Sequence, residues 1–181
     1  MQIPTLVTPR LILRPHTLDD MDAFAAFYAS DHSKFVGGPI TRERAWRSMA
    51  QEMGHWALRG FGRWAIALKD TNEWIGITGL WHPEGFPERE VGWDIAQEHT
   101  RKGYASEAGS AARAYAYDVL GWTTLISLVA DGNDASAAVA RKLGAWHEGT
   151  FVHETFGPAN VYRHPGPDML GDADGSVEAY A

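Results

Sequence analysis

The sequence contains no cysteine. That excludes a disulfide framework, a thiolate metal site and a cysteine nucleophile together, and it fits a reducing, intracellular setting. No apolar run approaches the ~18 residues that span a bilayer, and the opening stretch MQIPTLVTPRLILRP lacks the apolar segment of a leader. Positive charge is in deficit: 16 Lys and Arg stand against 23 Asp and Glu, a formal net charge of -7. General nucleic-acid binding, which needs a basic surface, is therefore not expected. Neither G-x-x-x-x-G-K-S/T nor G-x-S-x-G occurs, and GFGRWA at 60–65 precedes a strand-like run instead of joining a strand to a helix, as a dinucleotide loop would. His147 and His153 have no third ligand at a suitable spacing, so no metal is expected. These exclusions leave a soluble, cytoplasmic protein that binds neither nucleic acid nor membrane.

What is present fits one domain over residues 1–165 of the 181, followed by an acidic tail over 166–181 that carries four acids and no base. Most of the eight tryptophans read as core anchors, because an indole buries much apolar area and needs one hydrogen-bond partner. Residues 6–15 alternate like a half-buried strand between Pro9 and Pro15. A helix follows, with Thr17 and Asp20 in capping-box spacing and Leu18, Met21, Phe24 and Tyr28 on one face. A second helix over 41–60 carries Ala45, Trp46, Met49, Met53 and Trp56 at helical spacing and stops at Gly60.

The period then changes to two. Residues 63–69, 73–81 and 89–95 read as three antiparallel strands, the first two joined by Asp70, Thr71 and Asn72. Residues 105–120 form a helix with a thin stripe of Ala105, Ala108, Ala112, Tyr115 and Val119, 124–130 a strand, and 133–144 a helix between Asn133 and Gly144. A closing hairpin is expected to turn at Gly157, Pro158 and Ala159. The fold class is α/β (α+β): a mixed, mostly antiparallel central sheet of about seven strands flanked by about four helices. Within it the 89–95 and 124–130 strands must run parallel or leave a gap.

The stretch HTRKGYASEA at 99–108 lies between a strand and a helix and sets Arg101 and Lys102 before Gly103. A glycine-bearing loop there turns successive N–H groups and the positive end of the helix dipole toward one spot, which suits phosphate. An exposed basic turn would have the same local sequence. Arg141 and Lys142 add a second basic pair near the same seam, as a ligand with several phosphates would require.

Two motifs, EVGWDIAQEHTRKGYASEA and NDASAAVARKLGAWHEGTF, resemble the GNAT superfamily of N-acetyltransferases, and within it the branch of ribosomal-protein N-terminal acetyltransferases; the element order agrees over about 6–164. The resemblance implies acetyl-coenzyme A as acyl donor and no metal. Lys102, Gly103, Tyr104 and Ala105 would hold its pyrophosphate, with Arg101 beside them where the branch often has glycine and Thr100 where the family has Gln or Arg. Ile95 and Ala96 would pair with the pantetheine arm, Asn133 and Ser136 would help to hold it, and Arg141 and Lys142 would reach the adenine or ribose phosphate.

Acetyl transfer to an amine needs a base, since an alkyl ammonium of pKa ~10.4 is neutral about once in a few thousand at pH 7. Glu90, Gly92 and Asp94 share one strand face, opposite Val91, Trp93 and Ile95. The resemblance puts a glutamate at Glu90, the leading base, with Glu88 and Asp94 as further candidates, and an oxyanion donor at the N–H of Asp94 or Ile95. The superfamily's tyrosine acid is Ala140 here, which leaves Ser136 as its replacement. No covalent acyl carrier is evident, so direct transfer in a ternary complex is expected, to a small-molecule amine or a peptide N-terminus. A homodimer is the assembly to consider, and a non-catalytic acyl-coenzyme A binding module is the alternative.

Overall fold

The computed structural model describes residues 2–154 and 156–170. Its sheet begins with a hairpin, β1 (Leu6–Val7) and β2 (Leu11–Arg14), where the alternation suggests one strand. Pro9 has no N–H for a ladder, and the Thr8 hydroxyl accepts the Leu11 N–H at 3.0 Å, closing a turn. Next comes α1 (Met21–Ala29), preceded by a 3-10 turn at Leu18–Asp20. Asp20 accepts the Thr17 N–H at 2.8 Å and also takes two donors from Arg14, at 2.8 and 2.7 Å. The second helix, α2 (Arg42–Arg59), starts with the Thr41 side chain accepting the Arg44 N–H and stops at left-handed Gly60.

Strands β3 (Arg63–Leu68), β4 (Trp74–Trp81) and β5 (Glu90–Ile95) are antiparallel neighbours. They are followed by α3 (Tyr104–Asp118), β6 (Ile126–Ala130), α4 (Asp134–Lys142), β7 (Trp146–His153), β8 (Gly157–Arg163) and a short α5 (Pro167–Leu170). The described residues form one eight-stranded sheet in the order β1-β2-β3-β4-β5-β6-β8-β7. Every pairing is antiparallel except β5 with β6.

Each face of the sheet buries its own core. Trp64, Ile66, Leu80, Val91 and Ile95 pack against Ala108, Ala112 and Tyr115 of α3. On the other face Ala65, Trp74 and Ile77 meet Phe24 and Tyr28 of α1 and Ala45 and Met49 of α2. The small residues of α3 set its distance from the sheet: a β-carbon at Gly109 would lie 2.9 Å from the Trp93 ring.

Several expectations are corrected. Leu18, Trp46 and Val119, placed on apolar stripes, are exposed; most tryptophans are core as expected, with Trp56, Trp64, Trp74, Trp81 and Trp122 buried. The last hairpin turns before Gly157, which with Pro158 and Ala159 belongs to β8, so its turn lies upstream of the expected one. Residues 167–170, assigned to the tail, are helical, and Leu170 packs on the core. The remainder of the expected tail, 171–181, lies outside the described residues.

Candidate functional site

The site follows from how β5 and β6 part. They share one parallel register pair, Glu90 with Ile126, where the Ile126 N–H donates to the Arg89 carbonyl at 3.2 Å. Beyond it side chains take over from the ladder. The Leu128 N–H donates to Glu90 Oε2 at 3.1 Å, and the Ser127 hydroxyl donates to the Val91 carbonyl. On the β4 side, Ala96 N–H donates to Ile75 O at 2.9 Å. By the alternation of an antiparallel ladder, the Ile95 backbone groups then face away from β4, toward the opening. His32, in the turn after α1, donates from Nε2 to the Ile95 carbonyl at 3.0 Å.

The opening is a groove of about 870 Å³. Of the residues expected to hold a coenzyme, Ile95, Arg101, Gly103, Tyr104, Ala105, Asn133, Ser136 and Lys142 line it. Ala96 and Lys102 adjoin it in the chain without lining it, and Arg141 turns to β8, donating to the Tyr162 hydroxyl at 3.2 Å. Asp94 and Ser136 are the expected catalytic residues that line the groove; Glu90 does not. Glu88 is held in a two-point pair with Arg163, at 2.7 Å for each contact. The pair keeps its carboxyl below the usual range, away from the values useful to a base. Phe27 of α1 and residues of the 31–36 turn, for which the sequence offered no motif, form the facing wall.

The loop before α3 has the geometry its composition suggests. Arg101 and Gly103 both have positive φ, 60° and 84°, so the backbone reverses sharply before the helix. The first intrahelical bond there runs from Glu107 N–H to Gly103 O. The N–H groups of Tyr104, Ala105 and Ser106 therefore have no acceptor within the helix, and they point along its axis toward the groove end. Asn133 caps α4 by accepting the Ser136 N–H at 3.2 Å, which sets Ser136 on the opposite wall.

Under α1 and α2, beside the groove, lies a buried charged row that the sequence did not reveal as a unit. Arg63 of β3 donates from Nε to Glu52 of α2 at 3.0 Å and makes a second bond to the same carboxylate. Its Nη1 is 3.6 Å from Asp94. The guanidinium lies over the Trp81 ring, 4.4 Å from the centroid, and Trp81 stacks on His55. Burial pushes the Asp94 carboxyl up to about 6, against the pull of Arg63 and with the push of Glu52. Burial likewise pushes Glu90 up to about 7, against the Leu128 N–H and Arg63. Between these two carboxylates, a β-carbon at Gly92 would meet open space. A sequence signal for this row was the placing of Glu52 and His55 among the apolar positions Ala45, Met49 and Trp56 of α2.

The mixed α/β sheet thus opens at its β5–β6 parallel pair, with a basic loop and a helix N-terminus at one end of the opening and two carboxyls of raised pKa, Asp94 and Glu90, on β5. Residues 10–145 match the family described as Acetyltransferase (GNAT) domain, and the chain belongs to that family. Uncharacterized N-acetyltransferase YoaA of Bacillus subtilis (strain 168) is 34% identical over 170 residues, 88% of this chain and 95% of that protein. A solved acetyltransferase from Agrobacterium tumefaciens str. C58 is 38% identical, with a TM-score of 0.82 over 91% of this chain and 95% of that one. The fold is shared with the ribosomal L7/L12 alpha-N-protein acetyltransferase RimL in complex with coenzyme A, at 16% identity and a TM-score of 0.74 over 90% of this chain and 98% of that one. The protein is thus an acetyltransferase of GNAT fold, in a family that uses acetyl-coenzyme A.

Proposed function

We propose that this protein transfers an acetyl group from acetyl-coenzyme A directly to a primary amine, a small molecule or a peptide N-terminus, in a ternary complex. The single observation that carries the reading is the groove, where Asp94 and the coenzyme-side residues Gly103, Tyr104, Ala105, Asn133 and Ser136 line one cavity. The free N–H groups at the start of α3, with Arg101 and Lys142 nearby, suit a pyrophosphate. The diverging edge of β5 at Ile95 suits an extended arm carrying amide groups, which would displace His32 from the Ile95 carbonyl.

In this reading the amine nitrogen attacks the thioester carbon and Asp94, raised to about 6, accepts its proton directly or through water. Asp94 takes this role ahead of Glu90 because it lines the groove, whereas Glu90 is bonded to Leu128 N–H and stands behind Gly92 as a second proton store. The β5 N–H nearest the thioester stabilises the oxyanion. Collapse breaks the C–S bond, forms the N-acetyl amide and releases the thiolate, which takes a proton relayed from water through the Ser136 hydroxyl or leaves unassisted, its pKa being near ~8.5.

Ala140 is fully buried and offers no proton, which favours a second reading as an acyl-coenzyme A binding module. Thiol release from acetyl-coenzyme A across a panel of amines separates the two. Release with any amine supports the enzyme, and coenzyme binding without release across the panel supports the module. Absence of a thermal shift with coenzyme A sinks both.

A further inference from the structure

The loop before α3 is held from behind by a residue 92 positions away in sequence, Arg10 in the β1–β2 turn. Its Nη1 donates to the Lys102 carbonyl at 2.9 Å, and its guanidinium lies 4.6 Å from the Tyr104 ring centroid. Its Nη2 is 3.3 Å from where a β-carbon on Gly103 would stand. The same guanidinium pairs with Glu107, Nε and Nη2 each 2.7 Å from Oε2. Glu107 Oε1 accepts the Arg10 backbone N–H at 2.9 Å and the Thr8 hydroxyl at 2.6 Å.

Glu107 poses an electrostatic problem that this arrangement solves. It sits in the first turn of α3, on the helix whose N-terminus faces the groove. A carboxylate is favourable to the helix dipole there but unfavourable to a phosphate approaching the same N–H groups. Burial pushes its carboxyl up, yet the Thr8 hydroxyl and the Arg10 N–H and guanidinium outweigh burial, so it stays ionised. Its charge must be cancelled locally if phosphates are to bind.

We propose that Arg10 is a positioning residue for the coenzyme: from behind the 101–104 loop it neutralises Glu107, so that the phosphates meet unopposed N–H donors. This rests on the coenzyme reading above. The Thr8 hydroxyl and the residue 10 N–H remain as donors when the guanidinium is removed, so the turn keeps part of its docking and the charge can be tested apart from the contact.

The test is calorimetric titration of coenzyme A into wild type, Arg10→Gln, Arg10→Lys and the double variant Arg10→Gln/Glu107→Gln, each checked for a cooperative melt. Arg10→Gln should weaken binding about tenfold or more, as expected for an uncancelled carboxylate near phosphates. Arg10→Lys, which keeps the charge, and the double variant, which removes the carboxylate, should each recover most of that loss. A brace without an electrostatic role predicts the opposite, because neither change rebuilds the guanidinium contacts. Wild-type affinity in Arg10→Gln, or a double variant no tighter than Arg10→Gln, overturns the proposal. Failure of the wild type to bind coenzyme A would instead overturn the coenzyme reading.

Discussion

Glu90 accepts the Leu128 N–H at 3.1 Å, although the backbones of β5 and β6 pair only at Glu90 and Ile126. One carboxylate thus replaces a rung of the ladder and keeps the two strands apart where the groove begins. It does so at a cost, because burial moves its pKa from 4.5 to about 7. A carboxyl with a raised folded pKa stabilises the fold most below the unfolded value and loses that contribution as pH rises through the folded one.

Glu90→Gln can still accept the Leu128 N–H but carries no charge. The variant should therefore gain on wild type as pH rises from 4.5 to 7, by up to about 3 kcal/mol. Urea denaturation at pH 4.5 and pH 8 measures this; an advantage that does not grow with pH would mean that Glu90 does not ionise in this window.

Asp94→Asn should lower kcat about a hundredfold while leaving the KM for acetyl-coenzyme A within a small factor, because proton transfer is lost and the phosphate end is untouched. Wild-type activity should rise with pH through about 6, as the carboxylate ionises, and the variant should lack that limb. A pH–rate profile with a reactive amine reads both effects, and a variant that keeps the limb assigns it to another group.

Arg63→Met removes the partner of Glu52, whose side chain is 2% exposed. An uncompensated buried carboxylate costs about 3–5 kcal/mol. The loss should be largest near pH 7 and smaller at pH 4, where Glu52, already raised by burial, takes up a proton. Thermal melts across pH test the sign: equal loss at both values would point to packing over Trp81 instead of charge.

Gly103→Val should abolish coenzyme A binding in calorimetry with little change in secondary structure by circular dichroism. A β-branched residue is strained at φ 84°, and its β-carbon would press on Arg10. Retained binding would mean that the loop can reach the phosphates from another conformation.

The sequence by itself determined whatever depends on local periodicity and end signals. Thr41 and Gly60 bound α2, and Asn133 caps α4, because caps act within one turn. Alternation in 89–95 correctly put Glu90, Gly92 and Asp94 on one face, and the glycine-bearing basic loop announced the start of α3. Local signals failed where distant partners intervene. The first strand became a hairpin because Thr8 and Pro9 turn it toward Glu107.

Only the tertiary structure decided which charged residues meet. Arg10 and Glu107 are 97 residues apart, and Arg63 touches both Glu52 and Asp94 from a different element. Nothing in the composition separates such residues from solvated surface charge. Burial and pairing, which raise Asp94 to about 6 while holding Glu107 ionised, arise only when the sheet and helices close around them.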